Sequence, residues 1–429
     1  MAEIPAKFDA IVIGSGPAGS SSAYYLASKG FKVLMLERGR SSGSKNVFGG
    51  RVYAAPLKEI YPDFEKSAPI HRWVTREKVS FMHGNELVSL DYEGNDRKSF
   101  TTYLSQLTGW MALKAENAGA AIVTDITVTG LLMDGNRVTG VKAGNESVKA
   151  DVVIDAEGVN RLVLESAGIV PPLKPSHVAL GVKEVVKVEP DVIANEFGLG
   201  EGEGMAWAVL GDVTAGLPGG GFIYTNKDSV SIGLVVLLDS AIDGANEDIY
   251  KYVERFKSHP KLIKYFKDSR IMEYSAHLIP EDVWSLMPPR FYYDGLLIAG
   301  DAAGFLLNLG YTYRGVDFAA YSGYLAGRAV EQAHGHGSMS AENLSVYTKL
   351  LEQSFIMKNL KRFSGTHKLM RNRRLFTVYP AMMASLMRHI YSLDYESQKM
   401  FSALLGAAKE NGAGPFTLLS DGIGVMRHL

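Results

Sequence analysis

The stretch "FDAIVIGSGPAGSSSAYYLASKGFKVLMLERG", residues 8–39, contains the pattern that decides the fold. An apolar run at 10–13 predicts a strand, and it leads into a turn in which three of six residues are glycine. A run of small residues at 20–28 predicts a helix, Gly30 ends it, and a second apolar strand occupies 32–36. A strand, a glycine turn, a helix and a strand in this order predict a Rossmann-like unit that binds a dinucleotide.

Each glycine of this turn has a separate physical role. Gly14 permits the tight turn at the end of the strand, and Gly16 lets the backbone approach a pyrophosphate. Gly19 leaves room for the helix to pack closely against the strand. Pro17 and Ala18 lie within the turn, and the N-terminus of the helix that follows, which carries a partial positive charge, is expected to face the phosphates. The turn therefore predicts that backbone groups bind phosphate.

The acid at the end of the second strand indicates which dinucleotide fits. Glu37 lies 18 residues after Gly19, where a carboxylate can accept hydrogen bonds from a ribose 2′-hydroxyl. A carboxylate repels a 2′-phosphate. The site is therefore not predicted to take NADP.

A second stretch, "LLIAGDAAGFLLNLGYTYRG" at residues 296–315, favours FAD over NAD. An apolar strand there ends in Gly300 and Asp301, far from the first glycine turn. An extended FAD needs such a distant segment, because its ribityl chain and second phosphate reach beyond the first unit. We expect Asp301 to accept hydrogen bonds from ribityl hydroxyls. We also expect the N-terminus of the following helix to face the pyrophosphate or the flavin C2 carbonyl.

The composition excludes several other classes of chemistry. The 429 residues are 46% hydrophobic and 21% charged, which suits two or three globular domains. Cysteine is absent, so the chain offers no disulfide, no thiolate nucleophile and no cysteine ligand for zinc or an iron–sulfur cluster. No metal site is predicted. The start "MAEIPAKFDAIVIG" lacks the order of a secretory signal, and we expect a cytoplasmic location.

The pattern along the chain predicts an α/β fold with three parts. A Rossmann-like FAD-binding domain of the hydroxylase type is expected to combine residues 1–175 with 276–335. Residues 176–275 are rich in strands, including the alternating apolar run "VSIGLVVLL", and predict an inserted mixed sheet that faces the substrate. Residues 336–429 predict a helical C-terminal region, with a helix interrupted at Pro380.

Charge is distributed unevenly over the chain. Residues 353–393 contain no Asp or Glu and eight Lys or Arg, in a chain whose net charge is −1. This basic block has two interpretations: a solvated face of core-packing helices, or a surface that docks to a partner or to anionic lipid. Nucleic acid binding is not expected, because no recognisable module surrounds the block.

Several segments together resemble a known family. "GSGPAG", "DAEG" at 155–158 and "GDAAG" at 300–304 are similar to the hydroxylase-type FAD fold related to glutathione reductase. "KNVFGGRVY", "GVKE", "PGGGFIYTN", "EYSAH" and "LIAGDAAG" resemble the FixC type of electron-transfer flavoprotein:quinone oxidoreductase, in the same order over about residues 8–330. The resemblance implies a flavoprotein that accepts electrons from an electron-transfer flavoprotein and passes them to membrane quinone, as a peripheral protein of the cytoplasmic membrane.

The motifs and the resemblance together give a set of expected FAD contacts. The expected residues are Gly14, Gly16, Pro17, Ala18, Gly19, Glu37, Arg38, Asn46, Gly49, Gly50, Arg51, Glu157, Gly158, Gly300, Asp301 and Gly310. The chain departs from the family in two respects. Leu104 stands where many relatives of the fold place an arginine against FAD. Fused relatives carry a ferredoxin-like segment, so the absence of cysteine implies a separate ferredoxin-like iron–sulfur subunit.

Two other functions remain open at this point. The chain can be a substrate-specific flavoenzyme of the same fold, such as a geranylgeranyl-type prenyl reductase or an aromatic monooxygenase, although it has "GGGFIYTN" where prenyl reductases usually show a Tyr-x-Trp-x-Phe-Pro signature. It can also be an FAD relay without turnover of its own in a larger complex. No general base is assigned, since a histidine such as His277 in a mixed segment is more often structural.

Overall fold

A computed structural model describes residues 7–46, 50–267, 269–392 and 397–429. The strands are β1 (Phe8–Ile13), β2 (Val33–Leu36), β3 (Arg51–Tyr53), β4 (Arg72–His83), β5 (Glu86–Glu93), β6 (Ser99–Thr101), β7 (Ala121–Val123), β8 (Val128–Asp134), β9 (Arg137–Ala143), β10 (Glu146–Asp155), β11 (Val178–Lys187), β12 (Glu203–Gly211), β13 (Gly219–Thr225), β14 (Ser229–Leu237), β15 (Arg270–Pro280), β16 (Tyr292–Tyr293), β17 (Leu296–Ile298), β18 (Leu307–Asn308) and β19 (Tyr313–Arg314).

Helices connect and cover these strands. They are α1 (Pro17–Ser28), α2 (Ala54–Ile60), α3 (Phe64–Ser67), α4 (Leu104–Asn117), α5 (Leu162–Ser166), α6 (Pro190–Phe197), α7 (Leu238–Gly244), α8 (Ile249–Ser258), α9 (Val283–Leu286), α10 (Val316–Gly335), α11 (Ala341–Leu344), α12 (Val346–Gln353), α13 (Phe355–Arg362), α14 (Thr366–Leu369), α15 (Val378–Tyr391), α16 (Met400–Glu410) and α17 (Pro415–His428). Short 3-10 helices occupy Pro175–His177, Asp212–Thr214, Ile263–Tyr265, Gly300–Ala303 and Arg373–Leu375.

The first sheet has the order β16-β17-β10-β1-β2-β7, and β9 and β8 extend from the N-terminal half of β10. The central strands β17, β10, β1, β2 and β7 run parallel. Ala10 to Ile13 are all buried, because helices cover the sheet and leave no polar face. The parallel central strands and the covering helices confirm the predicted α/β, Rossmann-like architecture.

Small residues let α1 and α10 pack in close contact over this sheet. A Cβ added at Gly323 of α10 would lie 1.9 Å from the carbonyl oxygen of Ala18, and one at Gly327 would lie 3.3 Å from that of Ser22. Alanine and serine fill most of the facing side of α1. This packing places the N-terminus of α1 at the edge of the sheet.

The second sheet has the order β15-β11-β14-β13-β12-β4-β6-β3, with β5 paired to β4. Its strands come from residues 51–101 as well as from 178–280. All nine residues of β14 are buried, although its sequence alternates. Both faces are covered: Val235 joins the core of the first sheet, while Leu234 packs with Tyr252 and Val253 of α8.

The C-terminal region is helical from α11 onward, and Pro380 does not break a helix there. The residue stands at the third position of α15, which begins at Val378. The first turn of a helix tolerates proline, because its amides have no partner inside the helix. Within the described part of the chain, no helix is both long and apolar enough to cross a bilayer.

Candidate functional site

The carboxyl ends of the parallel strands meet at one edge of the first sheet. In the strand register, Ile13 pairs with Leu36 on one side and with Asp155 on the other, and Asp155 pairs with Ile298. The segments that follow these positions therefore lie together, although about 300 residues separate them in sequence. They are the glycine turn, Glu37, residues 156–158 and the turn that begins at Gly300.

These segments border a cavity of about 290 Å³ that extends to the second sheet. Of the expected FAD contacts, the cavity is lined by Gly14, Gly16, Pro17, Ala18, Glu37, Arg38, Asn46, Gly50, Arg51, Glu157, Gly158, Gly300 and Asp301. Gly49 lies outside the described residues. Gly19 and Gly310 do not line the cavity.

The three glycines of the first turn differ in what surrounds them. Gly14 has a φ of 91°, and a Cβ there would lie 2.6 Å from the carbonyl oxygen of Ala156. A Cβ at Gly19 would lie 1.8 Å from the carbonyl oxygen of Gly14. A Cβ at Gly16 would meet only the Asn46 Nδ2 atom, at 3.9 Å. Protein packing thus requires Gly14 and Gly19, whereas the open side of Gly16 faces space that a ligand can occupy.

Helix α1 starts directly at this open side. Gly16 is its N-cap residue and Pro17 its first residue, and no side chain caps its free amides. Proline suits this position, because it gives up an amide that would have no partner. The remaining amides and the helix dipole favour an anion in the cavity.

Glu37 is buried and also holds the glycine turn in place. Its Oε2 atom accepts hydrogen bonds from the Ser15 backbone amide and the Ser15 hydroxyl, both at 2.9 Å. Its Oε1 atom accepts one from the Gly39 amide at 2.6 Å. The carboxylate is therefore fixed before any ligand arrives, and its remaining lone pairs face the cavity.

Asp301 is the opposite case, because its carboxylate accepts no hydrogen bond from the described residues while it lines the cavity. Burial raises the pKa of Asp301 to about 6. The preceding Gly300 has a φ of 66° and donates its amide to the Ser322 hydroxyl at 2.9 Å. Asp301 is partly buried, and an acid without a hydrogen-bond partner in such a place is costly. Hydroxyl donors on a bound ligand would remove that cost.

The helix expected directly after Asp301 is absent from that position. A single 3-10 turn, Gly300–Ala303, follows instead, and α10 begins only at Val316. The β18–β19 hairpin intervenes. Gly315 and Val316 line the cavity, so the helix start does reach it, from a more distant part of the chain.

Gly310 belongs to this hairpin and faces away from the cavity. Its φ is 79°, and an added Cβ would lie 2.6 Å from the side chain of Leu429, the last residue of the chain. Its amide donates to the Asn308 Oδ1 atom at 2.7 Å. The glycine therefore serves the turn and the packing of the C-terminus, not the cavity surface.

Two acids next to the cavity serve the protein itself. Glu157 accepts hydrogen bonds from the amides of Val163 and Leu164 at 2.9 and 3.0 Å, which caps α5. Asp155 is fully buried, and its Oδ2 atom has no hydrogen-bond partner. Burial and the neighbouring Glu157 raise the pKa of Asp155 well above its usual range.

The residues around the "KNVFGGR" segment lie at the middle of the cavity. Arg51 forms an ion pair with Glu77, donates to the Ser99 hydroxyl at 3.1 Å and stacks on the Tyr53 ring. Leu104, at the start of α4, also lines the cavity, so an apolar group stands where an arginine is usual. Arg51 also lines the cavity, as do the cationic residues Arg38 and Lys45.

The opposite wall comes from the second sheet. The sequence predicts a sheet there, but it does not predict which residues face the cavity. Phe222, Tyr224 and Val235 line the cavity, and the first two rings stack with centroids 5.0 Å apart. His277 lies beside them, and burial lowers its pKa. The segment "PGGGFIYTN" predicts a strand of this sheet. Alternation along a strand gives two faces, but it does not show which face meets the cavity.

Comparisons with known proteins now identify this architecture. Residues 9–169 match the model for FAD dependent oxidoreductases, residues 178–279 match "ETF-QO, ubiquinone-binding", and residues 353–429 match the C-terminal domain of the ETF-QO/FixC family. The chain is 42% identical to a probable electron transfer flavoprotein-quinone oxidoreductase, YdiS, of Escherichia coli K12, over 97% of this chain and 98% of that one. The chain belongs to the ETF-QO/FixC family.

Other relatives support the same assignment. The protein FixC of Salmonella typhi is 39% identical, over 97% of each chain. A geranylgeranyl bacteriochlorophyll reductase-like crystal structure from Thermoplasma acidophilum has a TM-score of 0.73 and 20% identity, covering 97% of this chain and 99% of that one. At that identity the likeness shows a shared fold. The predictions of an oxidoreductase and of FAD as its cofactor are confirmed.

The cavity of this ETF-QO/FixC family member fits FAD in three respects. Gly16 leaves open space at the uncapped N-terminus of α1, where a pyrophosphate needs to approach. Asp301 presents an unpartnered carboxylate that ribityl hydroxyls can satisfy. The cavity continues from Glu37 to the aromatic wall at Phe222, as an extended dinucleotide requires.

Proposed function

We propose that this chain passes electrons from an electron-transfer flavoprotein to a membrane quinone. The observation that carries the proposal is the match of residues 178–279 to the ubiquinone-binding model. That segment contains β11–β15, and Phe222, Tyr224 and Val235 from it form a wall of the FAD cavity. An apolar, aromatic wall suits the flat ring of a quinone.

We propose that the first wall holds FAD through backbone groups and two acids. Bound FAD supplies the two-electron redox chemistry. The turn at Gly14–Gly19 and the start of α1 hold the pyrophosphate, Glu37 accepts from the ribose, and Asp301 accepts from the ribityl chain. The remaining proposed contacts are Arg38, Asn46, Gly49, Gly50, Arg51, Glu157, Gly158 and Gly300. We propose residues 1–175 with 276–335 as the FAD-binding domain and 176–275 as the quinone-facing domain, to whose sheet residues 51–101 contribute β3–β6.

We propose that a separate ferredoxin-like subunit supplies any iron–sulfur relay. The chain has no cysteine, and such clusters are held by thiolates. Electrons from the electron-transfer flavoprotein therefore reach this chain either directly or through that subunit.

We also propose that the C-terminal region associates peripherally with the cytoplasmic membrane. The residues of α17 that lie on one stripe are apolar and exposed: Phe416 (88%), Leu419 (62%), Ile423 (50%) and Met426 (80%). Met400 and Phe401 of α16 are exposed as well. An exposed apolar helix face of this kind suits the boundary between headgroups and acyl chains.

Part of the basic block is already neutralised inside the protein. Arg371 pairs with Asp239 at 2.8 Å, Arg374 pairs with Asp421 at 2.6 Å, and Arg388 pairs with Glu86. These three arginines therefore help hold the helices. The charges left for anionic headgroups, without an ion pair among the described residues, are Lys358, Lys361, Arg362, Lys368 and Arg373.

The experiment that tests this function is stopped-flow reduction of the FAD in the purified chain. We expect slow reduction by NADH or NADPH alone. We expect fast reduction by a reduced electron-transfer flavoprotein with its ferredoxin-like partner, followed by reduction of a soluble quinone analogue. Fast reduction by NADPH without transfer from the partners supports the prenyl reductase or monooxygenase instead. Fast electron entry without quinone turnover supports the relay.

A further inference from the structure

A buried acid outside the expected FAD contacts stands between two cavities. Glu281 follows β15 directly and is 3% exposed. Its Oε1 atom accepts a hydrogen bond from the Asn308 Nδ2 atom at 2.8 Å. Its Oε2 atom accepts one from the Tyr313 hydroxyl at 3.0 Å. Both donors lie on the β18–β19 hairpin, so the acid fastens that hairpin to the second sheet.

The position of this acid relative to the cavities is unusual. Tyr313 lines the FAD cavity. Glu281 and Asn308 line a second cavity of about 20 Å³, which has room for one water molecule. Leu306 lines both cavities, so a layer of protein that includes this side chain separates them. The hydrogen-bonded pair of Tyr313 and Glu281 is a polar path through that layer.

Groups that can exchange protons lie at the outer end of the path. His367 lines the second cavity, and its Nε2 atom is 3.7 Å from the Asp282 Oδ1 atom. The backbone carbonyl of His177 accepts from the amides of Glu281 and Asp282. The side chains of His367 and Asp282 are the titratable groups through which the second cavity can exchange a proton with solvent.

Burial keeps the Glu281 carboxyl close to its protonation midpoint at neutral pH. Burial raises the pKa of Glu281 to about 7. The hydrogen bonds from Tyr313 and Asn308 and the charge of Arg371 oppose that rise, while Asp282 adds to it. The carboxyl therefore gains or loses a proton at little cost in free energy near pH 7. Its protonation behaviour, like its position, suits a group that relays protons.

We propose that Glu281 and Tyr313 form a proton path from the second cavity to the FAD cavity. The inference rests on the proposed function, because reduction of a quinone to a quinol takes up two electrons and two protons. The reduced electron-transfer flavoprotein supplies the electrons. For each proton, the Tyr313 hydroxyl releases its proton toward the FAD cavity and takes one from Glu281. The second cavity then reprotonates the Glu281 carboxylate.

The test uses the FAD-loaded full chain and two variants that interrupt different atoms of the path. Glu281→Gln removes the exchangeable carboxyl but keeps its shape, and Tyr313→Phe removes the hydroxyl but keeps the carboxyl. Matched controls are Glu352→Gln and Tyr250→Phe, at exposed positions outside the site and the hairpin. FAD content and melting temperature establish that each variant is folded.

The first readout is independent of any partner. Reducing and reoxidising the bound FAD electrochemically in an infrared cell should produce a difference band of a protonated carboxyl. The band should shift in D₂O, disappear in Glu281→Gln and remain in both controls. A band that persists in Glu281→Gln, or no band in the wild type, overturns the assignment.

The second readout is the pH profile of quinone reduction. We expect the wild-type rate to fall as the pH rises through about 7, because the donor must be protonated. Both path variants should be slower by about tenfold or more, with a flattened profile in Glu281→Gln. Formate should partly restore Glu281→Gln. Wild-type rates and profiles in both variants refute the path. An infrared band without any quinone reduction in the wild type refutes the proposed function alone.

Discussion

The two walls of the FAD cavity are built from different chemical groups. The wall at the carboxyl edge of the first sheet presents backbone amides, glycines and the acids Glu37 and Asp301. The wall from the second sheet presents apolar side chains, among them Phe222 and Tyr224. A binding surface made of backbone loses its ligand when an added Cβ fills the space. A binding surface made of side chains changes its fit to the ligand gradually with the size of the side chain. From this difference we expect the first wall to decide whether FAD binds, and the second to decide what reacts with it.

The largest effect is expected where the first wall has no space. Gly19→Val places a Cβ 1.8 Å from the Gly14 carbonyl oxygen, so α1 must move away from β1. We expect a loss of about 3 kcal/mol or more in stability and purification without FAD. Gly130→Ala, where nothing lies within 4 Å, is the control and should keep full FAD content. Flavin absorbance measures both. Normal FAD content in Gly19→Val would show that the backbone wall is adaptable.

The two acids of the first wall allow a finer test. Asp301→Asn removes a carboxylate that no described residue satisfies, and we expect FAD affinity to fall by about tenfold to a hundredfold. The same change should increase the stability of the apoprotein. Because burial raises the pKa of Asp301 to about 6, the wild-type apoprotein loses stability as the pH rises from about 4 to 6.

Asp301→Asn should remove that loss and stabilise the apoprotein at pH 7.5 by about 1 to 3 kcal/mol, with little difference near pH 4. Thermal melts of apoprotein across this pH range measure the effect, with the exposed Asp134→Asn as control. Equal stability of wild type and Asp301→Asn at pH 7.5 contradicts the assignment of an unpartnered carboxylate.

The second wall is tested by Tyr224→Ala. This change removes a ring that stacks on Phe222 and lies 3.2 Å from the position of a Cβ on Gly50. We expect FAD content to stay within about twofold and the KM for a quinone analogue to rise about tenfold, equivalent to about 1.4 kcal/mol. Tyr250→Ala, at an exposed tyrosine, should change neither. Loss of FAD from Tyr224→Ala would remove the distinction between the walls.

The smallest effect on stability is expected in the C-terminal region. There the comparison is between two neighbouring arginines, Arg374 and Arg373. Arg374 forms two hydrogen bonds to Asp421, of 2.6 and 2.7 Å, and lowers the pKa of that carboxyl to about 2. Arg374→Ala should cost about 1 kcal/mol at pH 7. The cost should shrink as the pH falls from about 4 toward 2, because a lowered acid pKa stabilises only above the unfolded value.

Urea unfolding at pH 7, at pH 4 and at about pH 2.5 measures this cost and its decrease. Arg373→Ala is the matched control, because the neighbouring Arg373 has no ion pair among the described residues. Arg373→Ala should leave the free energy of unfolding unchanged within about 0.5 kcal/mol and weaken binding to anionic vesicles. A loss of stability in Arg373→Ala, together with weaker vesicle binding in Arg374→Ala, would assign Arg374, and not Arg373, to the lipid-facing surface.

The sequence by itself determined the FAD-binding edge. Strand periodicity, a glycine that must adopt positive φ at Gly14 and the spacing to Glu37 are local properties, and each one restricts the backbone where it stands. Two turns of this kind, ending at Gly19 and at Asp301, meet because their strands β1 and β17 run parallel in one sheet, with β10 between them. The fold, the family and the cofactor therefore followed from residues that act within a few positions of each other.

Only the tertiary structure decided which charged and polar side chains have partners. Arg374 and Asp421 are 47 residues apart, and Glu281 meets Tyr313 across a hairpin, so no spacing in the sequence announces either pair. The same holds for Gly310, whose glycine pattern matched a cofactor turn but whose neighbour is Leu429. Local rules fix φ and strand period, whereas ion pairs, pKa shifts and cavity walls depend on which elements pack together, and that packing is decided by the whole core.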